Sequence, residues 1–363
     1  MRLIVAGGGT GGHLFPGIAV AEEMRERAPE SQVLFIGTSR LLDQQALVGL
    51  GFELAALKCG GVKGLGWADR LRSLGMMPIA VATAVKMMRR FRPDLVFGVG
   101  GYVTGPVLLA AKLLRVPIAI HEQNSVPGMT NRLAGKLADL ILISLPCTPP
   151  FPPRKTIQTG NPLRRAILMA AGREKQAAAV PTVLVLGGSQ GAHRVNMLMM
   201  EAAARLHTQK VPFRLIHQTG EADREQVANC YTQLGVEAEV SAFIRDMAEV
   251  YGRANLAVSR AGATTCAELA AMGLPSLLIP YPFAADDHQV TNGKYYVNGG
   301  GARLLPQSSL TGEILASTIS ERLRNKEELH TMAAGMKAMA MLDATDRIVE
   351  ACIQLVARRK RRK

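Results

Sequence analysis

The chain has 363 residues, which at roughly 100–200 residues per domain predicts two domains, and its 48% hydrophobic and 20% charged content can bury ordinary globular cores. Aromatic residues make up only 4%, which argues against a stacking surface for single-stranded nucleic acid. The formal net charge of +14 draws the chain to anionic partners, whether phosphates, nucleic acid or acidic lipid, and the last six residues, Arg358 to Lys363, are all basic.

Short β-branched runs alternate with helix-length segments, a pattern that predicts parallel sheets flanked by helices. The first strands in chain order are Leu3–Val5, Val33–Ile36, Asp94–Phe97, Ile118–Ile120 and Leu140–Ile143. A second series is Thr182–Leu186, Arg214–His217, Ala254–Val258 and Ser276–Ile279. One opening occurs twice: Leu3–Ala6 runs into Gly7–Gly12, and Val183–Leu186 runs into Gly187–Gly191, each followed by a helix. Between the two series lie five prolines in Pro146–Pro153 and then Thr159-Gly160-Asn161-Pro162, which suits a connection between domains. The expectation is an α/β chain of two doubly wound domains with a junction near residue 161.

The N-terminus runs directly into a strand, which predicts no signal peptide. The apolar stretches are too short or too interrupted to span a bilayer, so any membrane contact is expected to be peripheral. Cys59, Cys147, Cys230, Cys266 and Cys352 are far apart and form no metal-ligand pair, a pattern of reduced cytosolic thiols.

The chemistry is expected where strands end. Gly7-Gly8-Gly9-Thr10-Gly11-Gly12-His13 follows a strand and opens a helix, where bare backbone and a helix start favour an anion. A dinucleotide site would also need an acid about 20 residues on, at the end of the second strand. The two corresponding strands end Ile36-Gly37-Thr38 and His217-Gln218-Thr219-Gly220, so a nicotinamide cofactor is disfavoured. Ser189 within Gly187–Gly191 offers a hydroxyl to a phosphate or caps the next helix. Gly262-Ala263-Thr264-Thr265-Cys266-Ala267-Glu268 places small residues at a helix start and a carboxylate one turn in. Glu268 either accepts from a vicinal diol such as ribose or serves the helix dipole. Ala284–Asn292 is a polar cluster after a buried strand, and His121-Glu122-Gln123-Asn124 follows another. The chain contains no D-x-D, so neither a metal clamp nor any cofactor is expected, and Asp286-Asp287 is a weak substitute.

Together these segments resemble the MurG family, which attaches N-acetylglucosamine to lipid I in peptidoglycan synthesis. The matching residues are Gly8–His13 with Pro16, Gly100-Gly101-Tyr102, His121–Asn124, Gly160-Asn161-Pro162 with Arg164, Gly187–Gly191, Ser259–Ala263 with Thr265 and Glu268, and His288-Gln289 with Asn292. They occur in the family's order from residue 8 to residue 292. The resemblance implies a GT-B fold, two Rossmann-like domains facing a cleft. It implies an acceptor- and membrane-facing domain at 1–160, a UDP-sugar domain at 161–341, and a C-terminal helix at about 342–357 returning to the first domain. Ile244 would meet uracil through its backbone and Glu268 would hold the ribose. Arg164, Ser189, Ala263, Thr264, Thr265, Cys266, Ala267 and Gln289 would hold phosphates and sugar, with Thr10, Gly11, Gly12 and Asn124 reaching the donor from the other domain.

The family inverts the anomeric centre, which calls for a base on the acceptor hydroxyl and stabilisation of the departing diphosphate. His13 is the first choice for the base and Glu122 the second, although a histidine at a helix start can instead bind phosphate. The implied partners are UDP-N-acetylglucosamine, undecaprenyl-linked lipid I and an anionic membrane surface, at the cytoplasmic face of the bacterial inner membrane. For the membrane, the segment from Leu65 to Arg92 combines Trp67, Leu71, Leu74, Met76, Met77, Ile79, Val81, Val85, Met87 and Met88 with flanking Arg and Lys. Two rival readings are another GT-B enzyme on the same nucleotide sugar, such as an epimerase, and a basic nucleic-acid-binding protein; nucleic acid is not expected as a partner.

Overall fold

The computed structural model describes residues 1–8, 11–38, 47–59, 67–173, 179–188 and 190–361, without the side chains of 67–74. The chain divides into two compact units, Met1–Arg164 with Asp343–Lys363, and Arg165–Leu342.

In the first unit the strands are β1 (Arg2–Gly7), β2 (Gln32–Gly37), β3 (Glu53–Ala56), β4 (Leu95–Gly100), β5 (Ile118–Glu122), β6 (Leu140–Ile143) and β7 (Thr156–Gln158). They form a sheet in the order β3-β2-β1-β4-β5-β6-β7, every pair parallel. Helices α1 (Gly11–Arg27), α2 (Trp67–Phe91), α3 (Thr104–Leu113) and α4 (Met129–Leu137) connect successive strands. Strand alternation sorts the core into two layers. Ile4 and Ala6 of β1 face a cluster with Ala84, Met88, Val107 and Ala134, from α2, α3 and α4. Leu3 and Val5 face the opposite side, where Leu14 and Ile18 of α1 pack with Ile348, Val349 and Cys352.

The second unit starts with α5 (Arg165–Ala171) and carries β8 (Thr182–Leu186), β9 (Arg214–Gln218), β10 (Ala238–Ser241), β11 (Leu256–Ser259), β12 (Ser276–Leu278) and β13 (Ala302–Leu304). Their order is β10-β9-β8-β11-β12-β13, again all parallel. The helices are α6 (His193–Thr208), α7 (Arg224–Leu234), α8 (Met247–Arg253), α9 (Ala263–Ala271), α10 (His288–Asn298), α11 (Gly312–Arg324) and α12 (Lys326–Ala338). The last helix, α13 (Ala344–Lys360), belongs to the first unit, where Thr345 Oγ1 accepts from Leu163 N at 3.2 Å. Side chains set several helix starts: Asp246 accepts from Glu249 N, Thr311 from Ile314 N and Asn325 from Glu328 N. Arg92, Arg115 and Lys210 take left-handed backbone just past α2, α3 and α6, a position where glycine is usual and a cation favours the helix end.

Both sheets are Rossmann-like. The strand order reverses direction between β1 and β4 in one unit and between β8 and β11 in the other. In open parallel sheets ligands bind outside the carboxyl ends of the strands at such a reversal. The nine strands expected from sequence are the interior strands; β3, β7, β10 and β13, which were not expected, are the four sheet edges.

Candidate active site

At the reversal point of the first sheet, β1 ends in Gly7 and α1 starts at Gly11, with His13 in its first turn. Thr104 Oγ1 lies 3.0 Å from Ala6 O and 2.7 Å from Gly100 O, pinning the ends of β1 and β4 together. Gly100 has φ +99°, and a Cβ there would lie 2.9 Å from Cδ2 and 3.1 Å from Nε2 of His13. The imidazole therefore rests directly on the Gly100 backbone, a contact that no other residue at 100 permits. Around Gly12 a Cβ would meet nothing within 4 Å, so internal packing does not demand glycine there. Thr10 lies outside the described residues.

The end of β5 is an anchored corner. Glu122 is buried; its Oε1 accepts from Asn124 N at 2.9 Å and Asn124 Nδ2 at 3.2 Å, and its Oε2 from Gly128 N at 3.1 Å and Asn131 Nδ2 at 2.9 Å. Burial raises its pKa, opposed by those four donors. A carboxylate with all four acceptor positions in use is the anchor of the 123–128 turn, with little capacity left to take a substrate proton. The same bonds tie down Asn124. His121 is buried, donates from Nε2 to Gly160 O at 3.2 Å, and is held by burial down at about 4, hence neutral. The Arg164 guanidinium stacks over Phe15 of α1, 4.7 Å from the ring centroid, which brings a cation to the turn that bears His13.

At the reversal point of the second sheet, the turns after β8 and β9 are pressed together. A Cβ on Gly191 (φ +77°) would lie 2.1 Å from Thr219 O, and one on Gly220 (φ +80°) 2.6 Å from Gln190 O. Beneath them runs a buried polar chain. Asn196 Nδ2 donates to Thr219 O (2.9 Å) and Asp223 Oδ2 (2.7 Å), so its Oδ1 must accept from His217 Nε2 (3.0 Å), and His217 Nδ1 then accepts from Tyr231 Oη (2.8 Å). Burial drives His217 down to about 3, so it is neutral. Ser189 lies outside the described residues. Ile244 is half-buried, and its N–H donates to Gln218 Oε1 at 2.9 Å.

Helix α9 starts after Gly262, which has no side chain to cap its first-turn amides, and it follows β11, so that start lies on the carboxyl side of the strand. Ala263 is buried, while Thr264, Thr265 and Ala267 are half-buried. Cys266 is buried: its N–H donates to Gly262 O within the helix, and burial pushes its thiol up to about 12. Glu268 is buried, and its Oε2 accepts from Tyr251 Oη at 3.0 Å. Gln289, in the first turn of α10, accepts from Tyr281 N at 2.9 Å, and Asn292 donates to Ala261 O at 3.3 Å, joining α10 to the start of α9. Ahead of α10, Asp286 (φ 54°) and Asp287 (φ 49°) are consecutive left-handed residues, each costing roughly 1–2 kcal/mol. Among the described residues no three His, Cys, Asp or Glu side chains gather as metal ligands.

Sequence reasoning gave no role to the residues that hold others in place: Tyr251, Gln218, Asn196, Asn131 and Arg260, although Gln218 and Arg260 fall within segments it singled out. Arg260 is buried without a carboxylate contact among the described residues, donating to Ile279 O, Pro280 O and Gln307 Oε1. Burial lowers its pKa. The signal available was position, since all but Tyr251 and Asn131 lie within a few residues of a strand end or a glycine turn.

Comparison with known proteins gives two domain families. Residues 3–143 match the glycosyltransferase family 28 N-terminal domain, and residues 182–348 match its C-terminal domain. A protein of Desulfotalea psychrophila named UDP-N-acetylglucosamine–N-acetylmuramyl-(pentapeptide) pyrophosphoryl-undecaprenol N-acetylglucosamine transferase is 45% identical over 359 residues, 98% of this chain and 97% of that one. The like-named protein of Geobacter metallireducens is 44% identical over 354 residues, 96% of this chain and 97% of that one. Among solved structures, MurG of Acinetobacter baumannii superposes with a TM-score of 0.76 at 30% identity, covering 97% of this chain and 99% of that one. A UDP-N-acetylglucosamine 2-epimerase of Neisseria meningitidis reaches 0.70 at 13% identity over 98% of this chain and 100% of that one, a likeness of fold alone.

Proposed function

With the chain belonging to the MurG family of glycosyltransferase family 28, we propose that it moves N-acetylglucosamine from UDP-N-acetylglucosamine to the MurNAc C4 hydroxyl of lipid I, yielding lipid II for peptidoglycan. The observation that carries this reading in the structure is the uncapped start of α9 with buried Glu268 one turn further on, its Oε2 held by Tyr251. Helix amides suit a diphosphate and the oriented carboxylate suits a ribose diol. Gln289 and the half-buried Thr264 and Thr265 stand near enough in sequence and fold to serve the sugar and phosphates.

In this reaction the C4 oxygen bonds to C1 of the donor sugar from the side opposite UDP. The C1–O bond breaks with both electrons going to the diphosphate, and the hydroxyl proton passes to His13. His13 is preferred to Glu122 because the Glu122 oxygens are already saturated. The departing charge is met by the α9 start.

The acceptor is lipid-linked, so the first unit docks on the cytoplasmic face of the membrane. The structure divides the expected segment. Met88 is buried, and Val81, Val85 and Met87 pack against the sheet core; Leu65 and the side chains of Trp67, Leu71 and Leu74 lie outside the described residues. Exposed apolar side chains do occur on the layer made by α2, α3 and α4: Ile79 (69%), Leu113 (70%), Met129 (61%) and Leu133 (59%). Exposed Lys86, Arg89, Arg90, Lys112, Arg132 and Lys136 accompany them, a combination that suits anionic lipid. No helix among the described residues is long and apolar enough to cross a membrane.

The deciding experiment is radiolabel transfer from UDP-N-acetylglucosamine to a lipid I analogue. Label on the lipid supports the reading, and label that stays in an epimerised nucleotide sugar refutes it.

A further inference from the structure

The connection from β12 to α10 carries two exposed aromatic rings. Phe283 is 81% exposed and Tyr281 44%, and the rings meet edge to face with their centroids 5.7 Å apart. The pair is held from below by Arg260, just past β11. Its Nη1 donates to Ile279 O and Pro280 O, each at 3.1 Å, its Nη2 donates to Gln307 Oε1 at 2.7 Å, and the guanidinium lies 5.4 Å from the Tyr281 ring centroid. These bonds fix the peptides immediately ahead of Tyr281. Gln289 Oε1 accepts from Tyr281 N at 2.9 Å, so the aromatic pair and the first turn of α10 share one anchor. Between them the chain makes two tight turns, with Ala284 N donating to Tyr281 O and Asp287 N to Ala284 O, each at 3.1 Å. The second turn ends in the left-handed Asp286 and Asp287. Paired exposed rings and strained backbone serve no core, and such features gather where a ligand is held.

We propose that Tyr281 and Phe283 form an aromatic wall for the sugar of the nucleotide donor. The proposal rests on the reading of the second unit as the holder of UDP-N-acetylglucosamine. A pyranose has two kinds of surface. Its hydroxyls bind planar amides and carboxylates, and its C–H bonds pack on the electron-rich face of an aromatic ring. The β12–α10 connection supplies both. With its carbonyl taken by Tyr281, Gln289 turns its NH2 toward a ligand, as two donors for hydroxyls. The rings beside it supply the apolar surface. A nucleotide without the sugar has nothing to place against them, so the wall reads the sugar and not the nucleotide.

The test is titration calorimetry of UDP and of UDP-N-acetylglucosamine on the full chain, wild type against Phe283→Ala and Phe283→Tyr, with donor and acceptor kinetics on each variant. Phe283 is exposed, so its truncation leaves the fold in place. The alanine variant is expected to bind UDP as wild type does and UDP-N-acetylglucosamine about 5- to 10-fold more weakly. KM for the donor should rise by the same factor with kcat little changed. The tyrosine variant keeps a ring and should bind the sugar nucleotide nearly as wild type does. An unchanged ratio of the two affinities in the alanine variant would overturn the proposal, whether both fall together or neither moves. So would a tyrosine variant as weak as the alanine one. A rise confined to KM for the lipid I analogue would also overturn it, giving the rings to the acceptor. A wild-type chain that binds neither ligand would instead refute the underlying donor reading.

Discussion

Replacing Glu268 tests the donor site at the point where the structure is most explicit. The carboxylate is buried and already takes one hydrogen bond from Tyr251 Oη at 3.0 Å. Glu268→Ala would leave that phenol without its acceptor inside the unit, so a loss of binding could be confused with a loss of stability at about 1–3 kcal/mol. Glu268→Gln avoids the confusion: its amide carbonyl can still accept from Tyr251, while its NH2 cannot accept from a ribose hydroxyl. Hydrogen bonds to a charged group contribute about 1.5–3 kcal/mol, so donor affinity should drop roughly 10- to 150-fold with little change in melting temperature. Tyr251→Phe keeps the charge and loses its orientation, and should cost about 1 kcal/mol, a factor near 5. Isothermal titration with UDP-N-acetylglucosamine measures all three. Wild-type affinity in Glu268→Gln would remove this residue from the donor site and with it the reading of α9.

His13→Ala should lower kcat by about 10²- to 10⁴-fold with donor affinity largely kept, and Gly100→Ala should act in the same direction by displacing the imidazole; steady-state kinetics in which donor binding falls and kcat does not would make His13 a phosphate ligand. His121 and His217 are neutral in the fold with pKa values near 4 and 3, below the ordinary 6.5, so the unfolded chain binds the extra protons. Stability is therefore fully present above pH 6.5 and should fall by about 1.4 kcal/mol per unit for each histidine as pH drops from 6.5 to 5; urea denaturation showing a flat profile across that window would contradict their burial. Arg89→Glu/Arg90→Glu should weaken co-sedimentation with anionic vesicles by about 1 kcal/mol per charge and leave neutral vesicles unaffected, and equal binding to both lipids before and after the reversal would exclude that patch.

The fold was legible where the physics is loudest. Leu3–Ala6, Val183–Leu186 and the other interior strands are buried on both faces, so they read as continuous apolar runs without needing any neighbour to interpret them. The edge strands Glu53–Ala56, Thr156–Gln158, Ala238–Ser241 and Ala302–Leu304 are three or four residues long and partly exposed. A segment such as Thr-Ile-Gln has no periodicity to detect. It becomes a strand because Ile141 and Ile143 present an open ladder beside it. Edge strands are thus a tertiary effect, and local pattern cannot reach them.

The candidate site divides along the same line, between groups that local spacing marks and groups that only the fold brings together. Glycine turns and a carboxylate one turn into a helix stand out by spacing alone, because the residues of each lie next to one another in sequence. Glu122 shows the limit of such spacing. Beside Asn124 at a strand end it has the sequence of a base, yet Gly128 N and Asn131 Nδ2 close over its second oxygen from further along the chain. Tyr251 is the converse: nothing local marks it, and it meets Glu268, 17 residues away, only in the fold. A side chain that orients a catalytic or binding group is constrained by where that group sits in space, so its identity is fixed only after the sheet has been assembled. That is why candidate ligand groups can be proposed from a sequence before the residues that hold them in register.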